Sequence, residues 1–328
     1  MIEFKGKNVL ITGGAGFIGS NLARRLCASG ARVTLVDSLI PEYGGNLQNI
    51  SDFRNGVVLN ISDVRDPYSM RQLFQGQDYL FNLAGQTSHM DSMQNPRNDL
   101  SINAEAQLSI LEACREVNPK IRIVFASTRQ IYGKPKYLPV DENHSIEPVD
   151  VNGINKWAGE WYHILYQRVY GIPCTVLRLT NTYGPGMRVK DARQTFVGIW
   201  IKNVLEGVTF KIFGDGEQKR DFNYVDDVVD AMLLSATKDK AIGKIYNLGS
   251  TEVVSLNDLA EILVSVSKSG RFEKIPFPAD RKAIDIGDYY SNFSLIASEL
   301  GWSPKVSLSA GLATTIEYYR KHGTQYWG

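Results

Sequence analysis

The run Lys7-Asn8-Val9-Leu10-Ile11-Thr12-Gly13-Gly14-Ala15-Gly16-Phe17-Ile18-Gly19 decides the fold. Its first half is a short apolar stretch of the kind that forms a strand buried on both faces. Its second half sets Gly14, Gly16 and Gly19 in G-x-G-x-x-G spacing, and helical periodicity follows at Leu22, Leu26 and Cys27. Such a glycine set is weak alone and specific between a strand and a helix. The glycines permit a tight turn, close approach of backbone to a pyrophosphate, and close packing of helix on strand. The helix N-terminus then presents free N–H groups and a positive dipole end to phosphate. The segment is therefore read as a dinucleotide cradle built from Gly13, Gly14, Gly16, Phe17, Ile18 and Gly19.

Working outward, Val33–Val36 is the next strand, and Asp37 closes it 18 residues after Gly19. A carboxylate there accepts hydrogen bonds from both ribose hydroxyls and repels a 2′-phosphate, which favours NAD over NADP. Val57–Asn60 is a third strand, and Asp63 beyond it is placed to meet the adenine edge. Tyr79–Leu83, Ile121–Phe125 and Cys174–Leu179 continue the strands, while Ser101–Val117 and Asn155–Tyr170 read as long helices. This alternation predicts an α/β protein, a Rossmann doubly wound parallel sheet covered on both faces. After Thr180 the rhythm breaks at turn signals such as Gly184-Pro185-Gly186 and Gly214-Asp215-Gly216. The expected division is an NAD-binding domain over 1–180, with a return segment near 220–250, and a smaller C-terminal substrate lobe over 181–328. Lys244–Leu248 is the stretch expected to rejoin the main sheet.

Composition narrows the class. Of 328 residues, 43% are hydrophobic and 22% charged, ordinary for a globular protein, and the net charge of +1 gives no bulk attraction to nucleic acid or an anionic membrane. Cys27, Cys114 and Cys174 match no metal-ligand spacing and are read as buried small apolar side chains, so no metal is expected. Met1-Ile2-Glu3-Phe4-Lys5 leads towards the first strand without the pattern of a secretion signal, and no apolar run reaches the roughly 20 residues that span a bilayer. A cytoplasmic location is expected.

Taken together, these residues resemble the extended short-chain dehydrogenase/reductase family, in its nucleotide-sugar epimerase and dehydratase branch, and are similar to UDP-glucose 4-epimerase-like proteins. The resemblance covers nearly the whole chain. It rests on the glycine segment, Asp63-Val64-Arg65-Asp66, Asn82-Leu83-Ala84-Gly85, Asn103 and Ser127-Thr128. It continues through Leu177-Arg178-Leu179-Thr180-Asn181-Thr182-Tyr183-Gly184-Pro185, Arg220-Asp221-Phe222, Val225-Asp226-Asp227 and Leu300-Gly301-Trp302-Ser303-Pro304. The resemblance implies catalysis by a hydroxyl residue, a tyrosine and a lysine: Thr128 on the reacting oxygen, Lys156 on the nicotinamide ribose. Four residues before Lys156, where the tyrosine belongs, stands Asn152. An amide exchanges hydrogen bonds but is no general base near neutral pH. His89, Asp91, Tyr132 and Tyr183 are candidates to take the proton instead. A water oriented by Asn152 and Thr128, or a protein that binds without turnover, are the alternatives. Restoring tyrosine at 152 is expected to restore the usual triad.

The resemblance also implies that 4,6-dehydratases carry an acid pair directly after the threonine. Here those places hold Arg129 and Gln130; Gln130 can orient a hydroxyl and Arg129 can pair an anion. Elimination is therefore disfavoured, and 4-epimerisation by transient oxidation at C4 is the preferred reading. A net 4-dehydrogenase and a non-catalytic NAD and nucleotide-sugar binder are its rivals. For the substrate, a UDP-hexose by default, the resemblance implies Asn181 and Arg220 at the diphosphate. Arg188, Lys190 and Arg193 form a basic cluster nearby, and Arg281 and Asp288 are candidates to close over the nucleotide. Phe210 and Phe213 are read first as core packing and second as a border for the base. The two long helices resemble those of a dimer interface in relatives, so a homodimer is expected by analogy.

Overall fold

The computed structural model describes residues 4–43, 45–193 and 195–327; Met1–Glu3 of the opening stretch lie outside them. Its strands are β1 (Asn8–Thr12), β2 (Arg32–Asp37), β3 (Val57–Ile61), β4 (Tyr79–Asn82), β5 (Arg122–Thr128), β6 (Cys174–Leu179), β7 (Asn181–Tyr183), β8 (Thr209–Phe213), β9 (Lys219–Tyr224), β10 (Ile245–Asn247), β11 (Val253–Ser255) and β12 (Arg271–Ile275). The helices of its first half are α1 (Phe17–Ala28), α2 (Pro67–Phe74), α3 (His89–Gln94), α4 (Pro96–Leu100), α5 (Ala106–Val117) and α6 (Val151–Tyr170). Those of the second are α7 (Phe196–Glu206), α8 (Val225–Thr237), α9 (Leu256–Ser267), α10 (Ala279–Lys282), α11 (Ser294–Leu300), α12 (Leu308–His322) and α13 (Thr324–Trp327).

Seven strands make one sheet in the order β10-β6-β5-β4-β1-β2-β3, every pair parallel. The apolar run Val9-Leu10-Ile11 is fully buried, as a parallel strand covered on both faces requires. Leu22, Leu26, Val228 and Met232, from α1 and α8, pack on one face. Met70, Phe74, Ile110 and Leu111, from α2 and α5, pack on the other. The strand order reverses between β1 and β4, and the carboxyl ends of strands at such a switch form the ligand crevice of open α/β sheets. β10 reaches the sheet by way of α8 and pairs with β6 from Ile245 to Asn247.

Beside the sheet, β11-β9-β7 form a three-stranded sheet and β8 pairs in parallel with β12. Trp200, Ile201, Leu259, Leu263, Leu312 and Ile316 fill the core of this region. The stretch expected as one helix from Ser101 begins instead with a π turn over Ser101–Glu105, after which α5 runs regularly. α6 starts four residues before the expected Asn155, because the Asp150 carboxylate accepts from Gly153 N at 2.7 Å and caps it. Gly171, left-handed at φ 71°, ends it. At the far end of the chain, Tyr326 donates to Asn49 Oδ1 at 2.7 Å, and Asn49 Nδ2 donates to the Ala15 carbonyl at 3.0 Å. No helix among the described residues is long and apolar enough to cross a membrane.

Candidate active site

The glycine segment folds into a cradle. Gly13 sits at φ 68°, a left-handed conformation, and its N–H donates to Val36 O at 2.8 Å. A Cβ on Gly19 would lie 2.2 Å from Gly13 O, so only glycine lets α1 start on top of the turn. Gly14 meets Leu35 in the same way, 2.7 Å from its Cβ. Gly14 therefore packs the turn on β2, whereas Gly13, Gly16, Phe17, Ile18 and Gly19 line the cavity above it. Asp37 shares that cavity, its carboxylate fixed by Ala15 N at 3.0 Å and Leu39 N at 2.9 Å. Burial pushes its pKa up, against those two backbone donors. Asp63 also lines the cavity and is paired with Arg65 at 2.6 Å, which holds its carboxyl below the usual range. An N-terminal dipole, a cradle closed to side chains and a fixed carboxylate at the second strand suit a dinucleotide such as NAD.

Thr128, the last residue of β5, and Lys156 and Asn152, one turn apart on α6, line the same cavity. Lys156 is buried, donates to Ala126 O at 3.0 Å and lies 5.1 Å from the Phe125 ring centre. Burial drives its pKa down to about 8, with the nearby Asp99 charge opposing the shift. Gly85 makes room for it: a Cβ there would stand 3.0 Å from Lys156 Nζ and 2.9 Å from Asn103 Oδ1. Asn152 is buried and spends its amide N–H groups on Gln86 O at 2.9 Å and on the buried Asp99 carboxylate at 3.0 Å. Both partners accept only, which fixes the orientation of the amide. Asn152 is thus a tie between α6, α4 and the loop after β4, and its nitrogen is not available to orient a water.

Of the other groups considered for the missing tyrosine, Tyr132 is buried, donates to Asn247 Oδ1 at 2.7 Å and accepts from Arg178 at 2.5 Å. Burial pushes it up to about 12, and it lines neither cavity described here. Tyr183 is buried with its hydroxyl on Leu308 O at 3.3 Å, and it too is absent from both walls. Asp91 faces the second cavity, 3.4 Å from Arg193. His89 lies in both walls, and its Nδ1 is 2.9 Å from the Asp150 carboxylate, bent off the line of a straight hydrogen bond.

The second cavity opens beside the first, and His89, Arg129, Gln130, Asn181 and Thr195 belong to both walls. Arg129 donates to Asn181 Oδ1 at 3.1 Å and lies 5.0 Å from the Tyr289 ring centre, while its buried Nη1 has no hydrogen-bond partner among the described residues. Arg220 donates to the Gly287 and Lys219 carbonyls; burial and the Arg129 charge bring its pKa down to about 10. Arg281 stands 5.5 Å from the Phe213 ring centre, both on this wall. Phe210 is core, packed on Trp200 and Phe272. Arg188, expected at the substrate, lines neither cavity, because Asp191, three residues on, takes its guanidinium at 2.7 and 2.6 Å. Asp288 accepts from Lys219 N at 2.8 Å and is likewise off the wall; Asp285 lines it instead. Sequence reading missed Asp99 and Asp150, whose roles depend on partners far away in the chain.

A sequence model of the NAD dependent epimerase/dehydratase family matches residues 9–249. The chain belongs to that family. Its cofactor is accordingly NAD. A Methanocaldococcus jannaschii protein whose name assigns it provisionally to the UDP-glucose 4-epimerases is 34% identical over 318 residues, covering 96% of this chain and 99% of that one. The structure of Thermotoga maritima UDP-glucose 4-epimerase with UDP-glucose is similar at TM-score 0.85 and 33% identity, over 96% of this chain and 99% of that one. The structure of Bacillus cereus UDP-glucuronic acid 4-epimerase with UDP-glucuronic acid and NAD matches at TM-score 0.86 and 28% identity, over the same shares.

Proposed function

We propose that the protein is a nucleotide-sugar 4-epimerase. The observation that carries this reading is the joining of the two cavities. A cofactor cleft walled by Asp37, Lys156 and Thr128 opens into a second cleft walled by Arg129, Arg220 and Arg281. Guanidinium groups suit a diphosphate, and the joint leaves a sugar between the phosphates and the nicotinamide. When bound, NAD supplies a hydride acceptor at the sugar carbon and later its donor. Thr128 hydrogen-bonds the reacting oxygen, Lys156 holds the nicotinamide ribose and adds positive potential beside it, and Asn181 positions Arg129. The named activities of the relatives support a UDP-hexose or UDP-hexuronate as substrate. Arg129 and Gln130 supply no acid pair for elimination, because the guanidinium keeps its proton and the Gln130 amide donates to Asp150 at 3.0 Å.

The purified protein is to be incubated with UDP-, GDP-, dTDP- and CDP-hexoses, with products read by NMR and absorbance in the NADH band. A C4-inverted product without net NADH is expected. Stoichiometric NADH release would instead mark a dehydrogenase, and tight binding without product a non-catalytic binder.

The assembly proposed with this reading is a homodimer. Ile154, Trp157, Trp161, Leu165 and Val169 are 37–60% exposed and follow one another at helical spacing along one face of α6. A continuous apolar stripe of this size is unusual on a free surface.

A further inference from the structure

With Asn152 committed to Asp99, the site needs another group to move the hydroxyl proton. We infer that His89, held by Asp150, is the general base and acid of the reaction. This rests on the epimerase reading above.

The geometry is that of a histidine with a fixed rear support. Asp150 is fully buried and its carboxylate is anchored on both oxygens: Oδ1 accepts from Gly153 N at 2.7 Å, Oδ2 from Gln130 Nε2 at 3.0 Å. His89 Nδ1 approaches the same Oδ2 at 2.9 Å. The contact is close but bent in this structure; straightened by a small rotation of the ring, it would keep the proton on Nδ1 and leave Nε2 bare as the acceptor. The His89 side chain is 35% exposed, and the residue lies where the two cavities meet, in one wall with Thr128, Asn152 and Lys156. Its backbone is fixed as well: Ser88 caps α3, and Ser92 Oγ donates to His89 O at 2.7 Å while accepting from Asn152 N at 3.3 Å. The backbone N–H at the tyrosine's place thus helps to seat the histidine.

The step balances. The O–H proton passes to His89 Nε2 as the C4–H electron pair leaves for the hydride acceptor that bound NAD would supply, and C4=O forms. Once the keto sugar has turned, Nε2 would give its proton back to oxygen as the hydride is returned to the opposite face of C4. Asp150 stays ionised throughout and is a positioning residue. The charged groups around the imidazole are Asp150 behind it, Asp91 on its own helix (facing Arg193), and Arg129 and Lys156 across the wall.

The test uses the holoprotein and UDP-hexoses. H89Q should lower kcat about 100-fold or more while leaving UDP binding by calorimetry and NAD content unchanged. Added imidazole should partly rescue H89A. D150N keeps the helix cap but loses the charge; it should lower kcat with little change in KM. 15N NMR of the wild type should show Nδ1–H with bare Nε2, and D150N should shift that tautomer balance. Conversion by wild type with H89Q at an undiminished rate overturns the base assignment and leaves the epimerase reading standing. A wild-type Nε2–H tautomer overturns it too, whatever the activity. No conversion of any nucleotide sugar by wild type overturns the epimerase reading and this inference with it.

Discussion

Lys156 is destabilising in the free protein. Its folded pKa, about 8, lies below the 10.5 of an exposed lysine, so folding releases a proton wherever the pH lies between the two. The unfolded chain binds more protons there, and stability rises with pH through that window. Below pH 8 the full cost of burying the charge is present. K156M should therefore be more stable than wild type at pH 7 by roughly 1–3 kcal/mol and melt at a higher temperature, with the gap closing between pH 8 and 10.5 and NAD affinity lost throughout. Thermal melts across pH with NAD titrations check both parts. Asn152 tells against simple repair. N152Y takes a donor from the buried Asp99, which keeps Asn155 at 2.8 Å, so it should cost about 1–3 kcal/mol in denaturant melts and leave turnover at or below the wild-type rate. A gain in epimerase rate would show that the pocket still accepts the tyrosine chemistry. Glycines, Asp37, Thr128 and Lys156 were legible in the sequence because each belongs to a local pattern. Asp150 read only as a residue before a helix, and Asp99 as one more polar residue, because neither carries a signal until α3, α4 and α6 are packed together.

α6 carries three jobs on two faces, the cofactor cavity and the sheet sharing one of them along its length. Asn152 and Lys156 face the cofactor cavity, Glu160 and His163 face the sheet, and the Trp157–Trp161–Leu165 face is exposed. W161E or L165K should convert a dimer to monomer by analytical ultracentrifugation with the fold kept, as judged by circular dichroism; a wild-type monomer would sink the assembly proposal. The strands were readable where both faces are buried, since their apolar runs are continuous. β7 and β11, at three residues each, are too short for periodicity to show, whereas the equally short β10 falls in the Lys244–Leu248 stretch expected to rejoin the sheet. The π turn before α5 was hidden for another reason: its residues keep helical spacing, and only the backbone register departs from it.

Across the molecule, one buried polar chain links β5, α6, β6 and β10. Ser127 donates to Glu160 at 2.8 Å, Arg178 pairs with Glu160 at 2.5 Å and donates to Tyr132, and Tyr132 donates to Asn247. With side chains 3% and 0% exposed, Arg178 and Glu160 leave no route for water to replace a lost partner. R178M should cost about 3–5 kcal/mol in urea unfolding, and adding E160Q should recover part of it by removing the stranded charge. An equal loss in the double variant would show that packing, not charge, dominates there.

The bond from Tyr326 to Asn49, and from Asn49 to Ala15, has a bearing on time as well as on space. Ala15 lies inside the glycine turn that lines the first cavity, and its brace is supplied from α13. On a ribosome the first strands emerge early, but the side chain that finishes bracing the turn is made only after both lobes have been synthesised. A first half made without α13 is therefore expected to hold that turn with one brace fewer and to grip NAD more loosely than a chain that includes it.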